Sequence, residues 1–272
     1  MRDLSHRIGL KKFEDILDLV ALFRPGPMHM LEDYIERKHG KVKIKYDHPL
    51  LEPILRSTYG IMLYQEQVMM IANRLAGFTL AEADLLRHAM AKKKVDEMAR
   101  IEEAFVRGAV KNSVPKATAE KIFQDMARFA EYGFNKSHSA AYALIAYRTA
   151  YLKAHYPREY MAALLTSEMS KLEKMTVYVT ECRAMGIKVL PPDVNESLAI
   201  FTVVKEGIRF GLAAIKNVGV GAVESILAAR GDGAPFASLA DFLERVDLSA
   251  ANKKVLESLI RAGALDSLPG HR

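Results

Sequence analysis

The sequence predicts a mainly α-helical fold with a small α+β part, in which a large helical region is followed by a β-hairpin and a helix-hairpin-helix region. In the first two-thirds of the chain, apolar residues recur at the spacing of amphipathic helices, and glycine or proline separates these segments. After Ser170 the pattern changes to short apolar segments of strand length, followed by short helices with glycine-rich joints.

The helices of the first region are bounded by recognisable local signals. A helix at 13–23 must stop before Pro25, because proline disfavours the helical conformation of the residue that precedes it. Gly77 ends the next helix, and Thr79 with Glu82 forms a capping box that starts the following one. The helices predicted for this region are 13–23, 60–75, 80–92, 95–111, 116–131, 139–155 and 157–169.

Strand patterns are few. Lysine alternates with apolar residues at 41–46, which predicts a short edge strand with its lysines in solvent. A helix at 173–185 is followed by a strand at 187–190 that two prolines close. The apolar segments 201–204 and 208–210 flank a Lys-Glu-Gly turn and predict a β-hairpin.

The composition excludes several classes of protein. Half of the 272 residues are hydrophobic and 26% are charged, which is typical of a globular protein with a core. The 16 glycines and 10 prolines are too few for a disordered or collagen-like chain. No apolar run reaches the length of a membrane span and no apolar secretory segment begins the chain, so we predict a cytoplasmic protein without membrane contact.

The cysteine count and the net charge further limit the class of protein to which the chain can belong. Cys182 is the only cysteine, which excludes an intrachain disulfide and a thiolate metal cluster, and its place in a predicted helix favours a buried structural thiol. The formal net charge of +6 indicates an acidic partner, with nucleic acid first among the candidates. A solvated lysine surface would give the same balance.

A polar loop at 132–138 is the most informative local feature, because it lies where a helix begins. A helix N-terminus offers free backbone N–H groups and a partial positive charge. With the lysine of Lys136 and the imidazole of His138, such an end is suited to binding phosphate. The alternative is an ordinary helix start, in which Ser137 or Ser139 caps the helix and Lys136 lies in solvent.

A second candidate lies on the predicted helix 80–92. Arg87 and His88, with Lys94 further along roughly the same face, could bind a polyphosphate through charge-assisted hydrogen bonds. The alternative is that Asp84 pairs with His88 one turn away and Arg87 is solvated.

A third candidate is the pair Gly219 and Gly221. The pattern predicts a tight hairpin whose amides open into a helix, an arrangement that holds DNA phosphates without reading bases. It is not a dinucleotide fingerprint, because the third glycine is missing and no strand leads directly into it. A plain turn between two helices would have the same spacing.

The chain carries no pattern for bond-making chemistry of its own. It lacks an Asp-x-Asp pair, and Glu82 and Asp84 are two residues apart on a helix, where their side chains diverge. It also lacks the motifs of zinc hydrolases, serine esterases and P-loop enzymes. We therefore predict neither catalytic residues nor metal ligands in this chain.

Several longer segments, taken in order, resemble one protein family. They are FRPGPM (23–28), YGIMLYQEQVM (59–69), YGFNKSHSAAY (132–142), LKAHYP (152–157) and LPPDVN (190–195). These segments resemble the bacterial C-family replicative DNA polymerases, the alpha subunits of DNA polymerase III, and the similarity extends over essentially the whole chain.

The resemblance implies a fingers domain at 1–185 and the start of a clamp-binding domain, with its helix-hairpin-helix, at 186–272. The parent protein would be a DNA-directed DNA polymerase, a nucleotidyltransferase of chromosomal replication. The palm domain with its catalytic carboxylates and bound Mg²⁺ would lie outside this chain, so we expect the chain alone to be inactive. The implied partners are the incoming deoxynucleoside triphosphate, primer-template DNA, the sliding clamp and other replicase subunits.

The resemblance also implies roles for individual residues. Arg87 is similar to a fingers residue that contacts the triphosphate, and His88 stands where the family usually has a second arginine. The nucleotide-binding residues that we assign on this basis are Arg87, His88, Tyr132, Asn135, Lys136 and His138. The DNA-binding residues are Arg24, Lys216, Gly219 and Gly221.

Two alternatives stay open at this point. One is the error-prone paralogue of the same polymerase family, which acts in translesion synthesis. The other is a non-catalytic DNA-binding module built around the helix-hairpin-helix. The segments within 23–157 favour a polymerase over that module, because a hairpin module needs none of them.

Overall fold

The chain forms two compact units, Met1–Arg148 and Thr149–Arg272. The predicted domain boundary between residues 185 and 186 lies inside the second unit and stays a prediction. The computed structural model describes residues 2–92, 95–130, 132–231 and 234–269.

The first unit is built from helices. Short 3₁₀ turns at Pro27–Met30, Pro49–Leu51 and Arg56–Thr58 join some of them. The helices are α1 (Arg2–Ile8), α2 (Phe13–Leu22), α3 (Leu31–Lys38), α4 (Glu52–Leu55), α5 (Gln65–Ala76), α6 (Leu80–Lys92), α7 (Val95–Lys111), α8 (Lys116–Ala130) and α9 (Lys136–His155).

Local signals set several helix ends as predicted. The capping box is confirmed, since the Thr79 N–H donates to the Glu82 carboxylate at 2.8 Å and the Glu82 N–H donates to Thr79 Oγ1 at 3.2 Å. Gly77 ends α5 with a φ of 71°, a left-handed conformation that glycine adopts without steric cost. Helix α2 stops at Leu22, ahead of Pro25.

Three predictions for this unit were wrong in detail. Residues 41–46 form an irregular segment instead of a strand, and Tyr46 packs against the neighbouring helical core. Helix α5 begins at Gln65 instead of residue 60, because Gly60 has a left-handed φ of 79° and Tyr64 is extended, with φ −119° and ψ 142°. Helix α9 begins at Lys136, three residues before the predicted start.

The helices α4 to α8 enclose the larger core of this unit. Its centre is the pair Phe105 and Phe123, both buried, with ring centroids 5.5 Å apart. Helix α7 approaches the end of α5 very closely, since a Cβ atom added to Gly108 would lie 2.2 Å from the carbonyl oxygen of Ala76. Asn112, one turn later, donates to the Leu75 carbonyl at 2.9 Å and so satisfies the C-terminus of α5.

A buried carboxylate joins three segments in the smaller core formed by α1 to α3 and residues 61–64. Asp18, which is 3% exposed, accepts hydrogen bonds from the hydroxyls of Tyr34 at 2.6 Å and Tyr64 at 2.5 Å. Burial raises the pKa of the Asp18 carboxyl, although the two hydroxyl groups act in the opposite direction. The position of Tyr64 therefore depends on a polar contact inside the core.

Replacing Asp18 by alanine leaves two buried tyrosine hydroxyls without their acceptor, and we expect the free energy of unfolding to fall by about 2–4 kcal/mol. Asp18→Asn keeps one acceptor oxygen and should lose about half as much. Urea unfolding of the chain measures both, with the exposed Asp33→Asn as the control. An Asp18→Ala variant as stable as wild type would contradict the assigned role.

Because the pKa of Asp18 is raised in the folded chain, the free energy of unfolding should depend on pH in a known direction. Its contribution to stability is complete below the pKa of the unfolded chain and is lost as the pH rises through the pKa of the folded chain. Urea unfolding at several pH values should show this pH dependence in wild type and lack it in Asp18→Asn.

The second unit combines a small sheet with helices. Its strands are β1 (Val189–Leu190), β2 (Thr202–Val204) and β3 (Gly207–Arg209). They lie in the order β1-β3-β2, with β1 parallel and β2 antiparallel to β3. The predicted hairpin is confirmed, and the strand predicted at 187–190 is confirmed for its last two residues. The elements are α10 (Pro157–Ser167), α11 (Leu172–Ala184), β1 (Val189–Leu190), β2 (Thr202–Val204), β3 (Gly207–Arg209), α12 (Val220–Gly231), α13 (Leu239–Arg245) and α14 (Lys253–Arg261).

Two cores stabilise this unit. Helices α10 and α11 pack with the sheet around the fully buried Cys182, and burial raises the pKa of its thiol, as expected of a structural cysteine. Helices α12 to α14 enclose the second core, where Phe236 and Phe242 pack edge to face. The predicted mainly α fold with a small α+β part is confirmed. In the part of the chain that the structure describes, no helix has both the length and the apolarity to cross a bilayer.

Candidate nucleotide-binding and DNA-binding sites

The predicted phosphate loop lies against the residues that lead into α5. Tyr64 and Phe134 form a parallel β-bridge, and the Gln65 N–H donates to the Phe134 carbonyl at 2.9 Å. A Cβ atom on Gly133 would lie 2.9 Å from the ring of Phe129, so glycine is required by this close approach. The loop is therefore held to α5 by backbone contacts as well as by side chains.

Arg24, which lies two residues after the end of α2, contacts the same loop. Its Nη2 donates to the Tyr132 carbonyl at 2.9 Å, and its guanidinium lies 4.1 Å from the centroid of the Phe134 ring. The side chain is half-buried, and burial lowers the pKa of its guanidinium. In this arrangement Arg24 supports the loop, and its predicted DNA contact stays a prediction.

Tyr132 is also packed into its surroundings. Its ring meets those of His29 and Phe129 edge to face, with centroids 5.5 Å and 5.6 Å away. A Cβ atom on Gly26 would lie 2.8 Å from the Cβ of Tyr132, so the glycine of the Pro-Gly-Pro turn makes room for this tyrosine. The half-buried ring leaves only part of its surface for a ligand.

The N-terminal amides of α9 already have acceptors from the protein itself. The Lys136 N–H points at both carboxylate oxygens of Glu66, each at 3.0 Å, and the His138 N–H donates to Asn135 Oδ1 at 2.8 Å. Asn135 is therefore the N-cap in place of the two serines that we considered, and the Ser139 hydroxyl donates instead to the Leu17 carbonyl at 2.6 Å. A phosphate bound to these two amides would have to displace Glu66 and Asn135.

The side chains at the start of α9 remain accessible. Lys136 and His138 are exposed, and the Lys136 Nζ lies 5.5 Å from the centroid of the Tyr64 ring. The His138 ring stands between Phe134 and Tyr142, with centroid distances of 5.5 Å and 4.6 Å. An exposed cation next to a row of rings is suited to an anionic ligand that also carries a planar group.

Arg87 on α6 is held in place by two residues of its own helix, Asp84 and His88. Asp84 Oδ1 accepts from its Nε at 2.9 Å and its Nη2 at 2.7 Å, and this guanidinium lowers the pKa of the Asp84 carboxyl. The Nη2 also lies 2.9 Å from His88 Nε2, and this nitrogen lies 3.6 Å from Asp84 Oδ2, so the pairing of Asp84 with His88 that the alternative predicted is present as well. Arg87 is thus paired rather than free in solvent, while Lys94 lies outside the described residues.

Gln65 brings Arg87 and the loop together. Its side-chain Nε2 donates to the Gly133 carbonyl at 3.2 Å, and its Oε1 accepts from Arg87 Nη1 at 3.5 Å. The guanidinium of α6 and the loop that carries Lys136 and His138 therefore contact the same residue of α5. We refer to the predicted nucleotide-binding residues as the nucleotide-binding cluster, in which Gln65 joins Arg87 to the loop.

The predicted helix-hairpin-helix lies in the second unit. A 3₁₀ turn at Leu212–Ala214 leads into α12, and the left-handed residue of the hairpin is Asn217, with a φ of 68°, instead of either glycine. Gly219 precedes α12 and Gly221 lies in its first turn, and a Cβ atom on either would meet nothing within 4 Å. Lys216, Gly219 and Gly221 are all exposed, so an external backbone can approach them closely.

Comparison with known proteins finds relatives that align with essentially the whole chain. The DNA polymerase III subunit alpha of Vibrio cholerae is 52% identical over 280 residues, which cover 100% of this chain and 24% of that protein. The subunit alpha of Thermus aquaticus is 53% identical over 266 residues, covering 95% of this chain and 22% of that protein. The model of the bacterial DNA polymerase III alpha subunit finger domain matches residues 1–113. The chain is therefore similar, over essentially its whole length, to the alpha subunits of bacterial DNA polymerase III.

Other matches give the same result. The DNA polymerase III subunit alpha of Escherichia coli K12 is 51% identical over 280 residues, with 100% of this chain and 24% of that protein covered. A helix-hairpin-helix motif model matches residues 186–272. The chain spans about a quarter of the length of the DNA polymerase III alpha subunits that it matches.

The finger-domain match contains Arg24, Gln65 and Arg87, whereas the loop at 132–135 lies between the two matched regions. The alpha subunits of the relatives align across that gap. Sequence analysis did not assign Gln65 or Glu66 to the site. The available signal was a polar pair at the start of the otherwise largely apolar helix α5.

Proposed function

We propose that this chain is the fingers region of a bacterial replicative DNA polymerase together with an adjoining helix-hairpin-helix region. Its first unit binds the triphosphate of the incoming deoxynucleotide, and its second unit holds duplex DNA. The observation that carries the nucleotide-binding role is the contact of Gln65 with both Arg87 and the loop that leads to Lys136. The relatives' shared name, DNA polymerase III subunit alpha, favours the replicative form over an error-prone paralogue.

The chemistry of the cluster suits a triphosphate. Arg87 offers a planar fork of donors on α6, and Lys136 offers an exposed ammonium group at the start of α9. Both are cationic donors on positioned elements, so they orient the phosphates for attack by a primer hydroxyl and stabilise charge that develops during transfer. His88, Tyr132, Asn135 and His138 complete the proposed nucleotide-binding set.

Bond making belongs to another part of the full-length protein. Among the described residues, no group of three His, Cys, Asp or Glu side chains could hold a metal ion, so the residues present do not form a Mg²⁺ site. On the resemblance alone, we assign the catalytic carboxylates and the Mg²⁺ that a polymerase needs to a palm domain outside this chain. The chain alone should not extend a primer.

The duplex is held through its backbone at the hairpin before α12. Gly219 and Gly221 leave space for phosphates to approach the amides, and Lys216 supplies a charge beside them. Contacts of this kind depend on salt and are insensitive to base sequence. Arg24, whose guanidinium supports the loop at 132–135, is the less direct member of the proposed DNA-binding set.

The chain should bind duplex DNA weakly, with an affinity that falls steeply as salt increases. Lys216→Ala removes one phosphate contact, so we expect weaker binding to every duplex sequence and a log–log salt slope smaller by about 1. Fluorescence anisotropy at several salt concentrations measures both quantities. Lys205→Ala, at the exposed turn of the β-hairpin, is the matched control. An unchanged slope in Lys216→Ala would exclude this lysine from the DNA contact.

The nucleotide-binding role is tested in the full-length polymerase, because primer extension requires the palm domain. The decisive change is removal of the Arg87 guanidinium, and the readout is the dependence of single-nucleotide incorporation on nucleotide concentration. The full-length protein would also bind the sliding clamp and other replicase subunits, and it would act in the bacterial cytoplasm.

A further inference from the structure

Gln65 occupies a position that the proposed function does not by itself explain. It is the first residue of α5, it is half-buried, and it contacts two separate parts of the nucleotide-binding cluster. Its backbone N–H donates to the Phe134 carbonyl at 2.9 Å, and its side chain reaches Gly133 and Arg87. No other residue among the described contacts joins α6 to this loop by hydrogen bonds from one side chain.

The two side-chain contacts require a carboxamide. The Gly133 carbonyl only accepts and the Arg87 guanidinium only donates, so the amide of Gln65 fits in a single orientation, with Nε2 on the carbonyl and Oε1 on the guanidinium. A carboxylate would place an acceptor against the carbonyl, and methionine would lose both hydrogen bonds. Among residues of this length, glutamine alone serves both partners.

The loop rests directly on this side chain. A Cβ atom on Gly133 would lie 3.2 Å from Gln65 Cγ, so the loop cannot move toward α5 without displacing it. Glu66, the next residue, holds the other end of the loop through the Lys136 N–H. The first turn of α5 therefore fixes both ends of the segment from Gly133 to Lys136.

The charge of this contact matters for Arg87. Asp84 already takes two of the guanidinium donors, and Gln65 holds Nη1 without adding a second negative charge. The 3.5 Å contact to Gln65 is long, and a neutral amide competes weakly with phosphate for this donor. Gln65 can thus keep Arg87 aligned while leaving it available to a triphosphate.

We infer that Gln65 is a positioning residue for the incoming nucleotide, acting through Arg87 and the loop at 133–136 rather than by touching the reacting atoms. This inference rests on the proposed nucleotide-binding function. It predicts that the nucleotide KM depends on the two hydrogen bonds of Gln65 and on its lack of charge. A negative charge at this position should act on KM only through Arg87.

The test uses single-nucleotide incorporation by the full-length polymerase carrying Gln65→Glu, Gln65→Met, Arg87→Ala or the double change. Gln65→Glu should raise the nucleotide KM about tenfold, because a carboxylate pairs with Arg87 and withdraws it from phosphate. Gln65→Met should raise KM about threefold, because the loop and Arg87 lose their common partner. Gln124→Glu, the same chemical change at an exposed position of α8, should leave KM unchanged.

The double variant separates a positioning role from a general structural one. If the added charge of Gln65→Glu acts through Arg87, its effect on KM should fall in the Arg87→Ala background to no more than the roughly threefold effect expected of Gln65→Met. Effects that multiply in the double variant, or a KM that neither Gln65 variant changes, would overturn the inference while leaving the proposed function intact. An unchanged KM and kcat/KM in Arg87→Ala alone would instead overturn the proposed function.

Discussion

Arg87→Ala in the full-length polymerase should raise the KM for the incoming nucleotide by about 10- to 100-fold and lower kcat/KM at least as much. The reason is the loss of a charged, forked donor whose hydrogen bonds to phosphate contribute about 1.5–3 kcal/mol. Arg87→Lys keeps the charge but not the fork, so its KM should lie between those of wild type and Arg87→Ala. The measurement is steady-state incorporation of one nucleotide over a range of nucleotide concentrations.

Arg74→Ala is the matched control, because Arg74 is an exposed arginine on α5. Its kinetic constants should match those of wild type. Binding of primer-template DNA should be similar in all three arginine variants, because Arg87 is assigned to the nucleotide. A loss of DNA affinity in Arg87→Ala with an unchanged nucleotide KM would reassign this residue from nucleotide to duplex.

Gly108→Ala should destabilise the chain by about 2 kcal/mol, even though alanine is the better helix former. Helix propensity alone would favour the alanine by about 1 kcal/mol. The new methyl group would lie 2.2 Å from the Ala76 carbonyl oxygen, and this backbone atom can move only if α5 and α7 separate. Urea unfolding of the chain, followed by circular dichroism, measures the change.

Arg107→Ala supplies the comparison for Gly108→Ala, because it places alanine at the adjacent, exposed position of the same helix. Its stability should remain within about 0.5 kcal/mol of wild type. A Gly108→Ala chain that is as stable as wild type or more stable would show that α5 and α7 are not in close contact at this position.

Features encoded by neighbouring residues could be predicted from the sequence. The capping box of Thr79 and Glu82 and the stop at Gly77 depend on residues within one helical turn, and both were confirmed. The prediction of a strand at 41–46 was wrong because it depends on more than neighbouring residues. Alternation of lysine with apolar residues describes one strand, but a strand also needs a partner, which local sequence does not specify.

The site could be predicted only in part, because its contacts join distant segments. The resemblance placed Arg87 and the loop at 132–138 in one functional group, and the structure brings them to a common neighbour, Gln65. That neighbour lies 68 residues from Gly133 in sequence, so no spacing rule links them. Glu66 at the α9 amides was missed for the same reason, since its partner Lys136 is 70 residues away.

The open space around Gly219 and Gly221 means that the stability of the second unit and its proposed affinity for duplex DNA can vary independently. Alanine at either position meets no atom of the chain, so thermal denaturation is a poor guide to which substitutions preserve function. Substitutions at Gly219 and Gly221 that weaken retention on immobilised duplex DNA should therefore differ from those that lower resistance to heat. Substitutions at these two glycines can therefore be compared without first compensating for damage to the core.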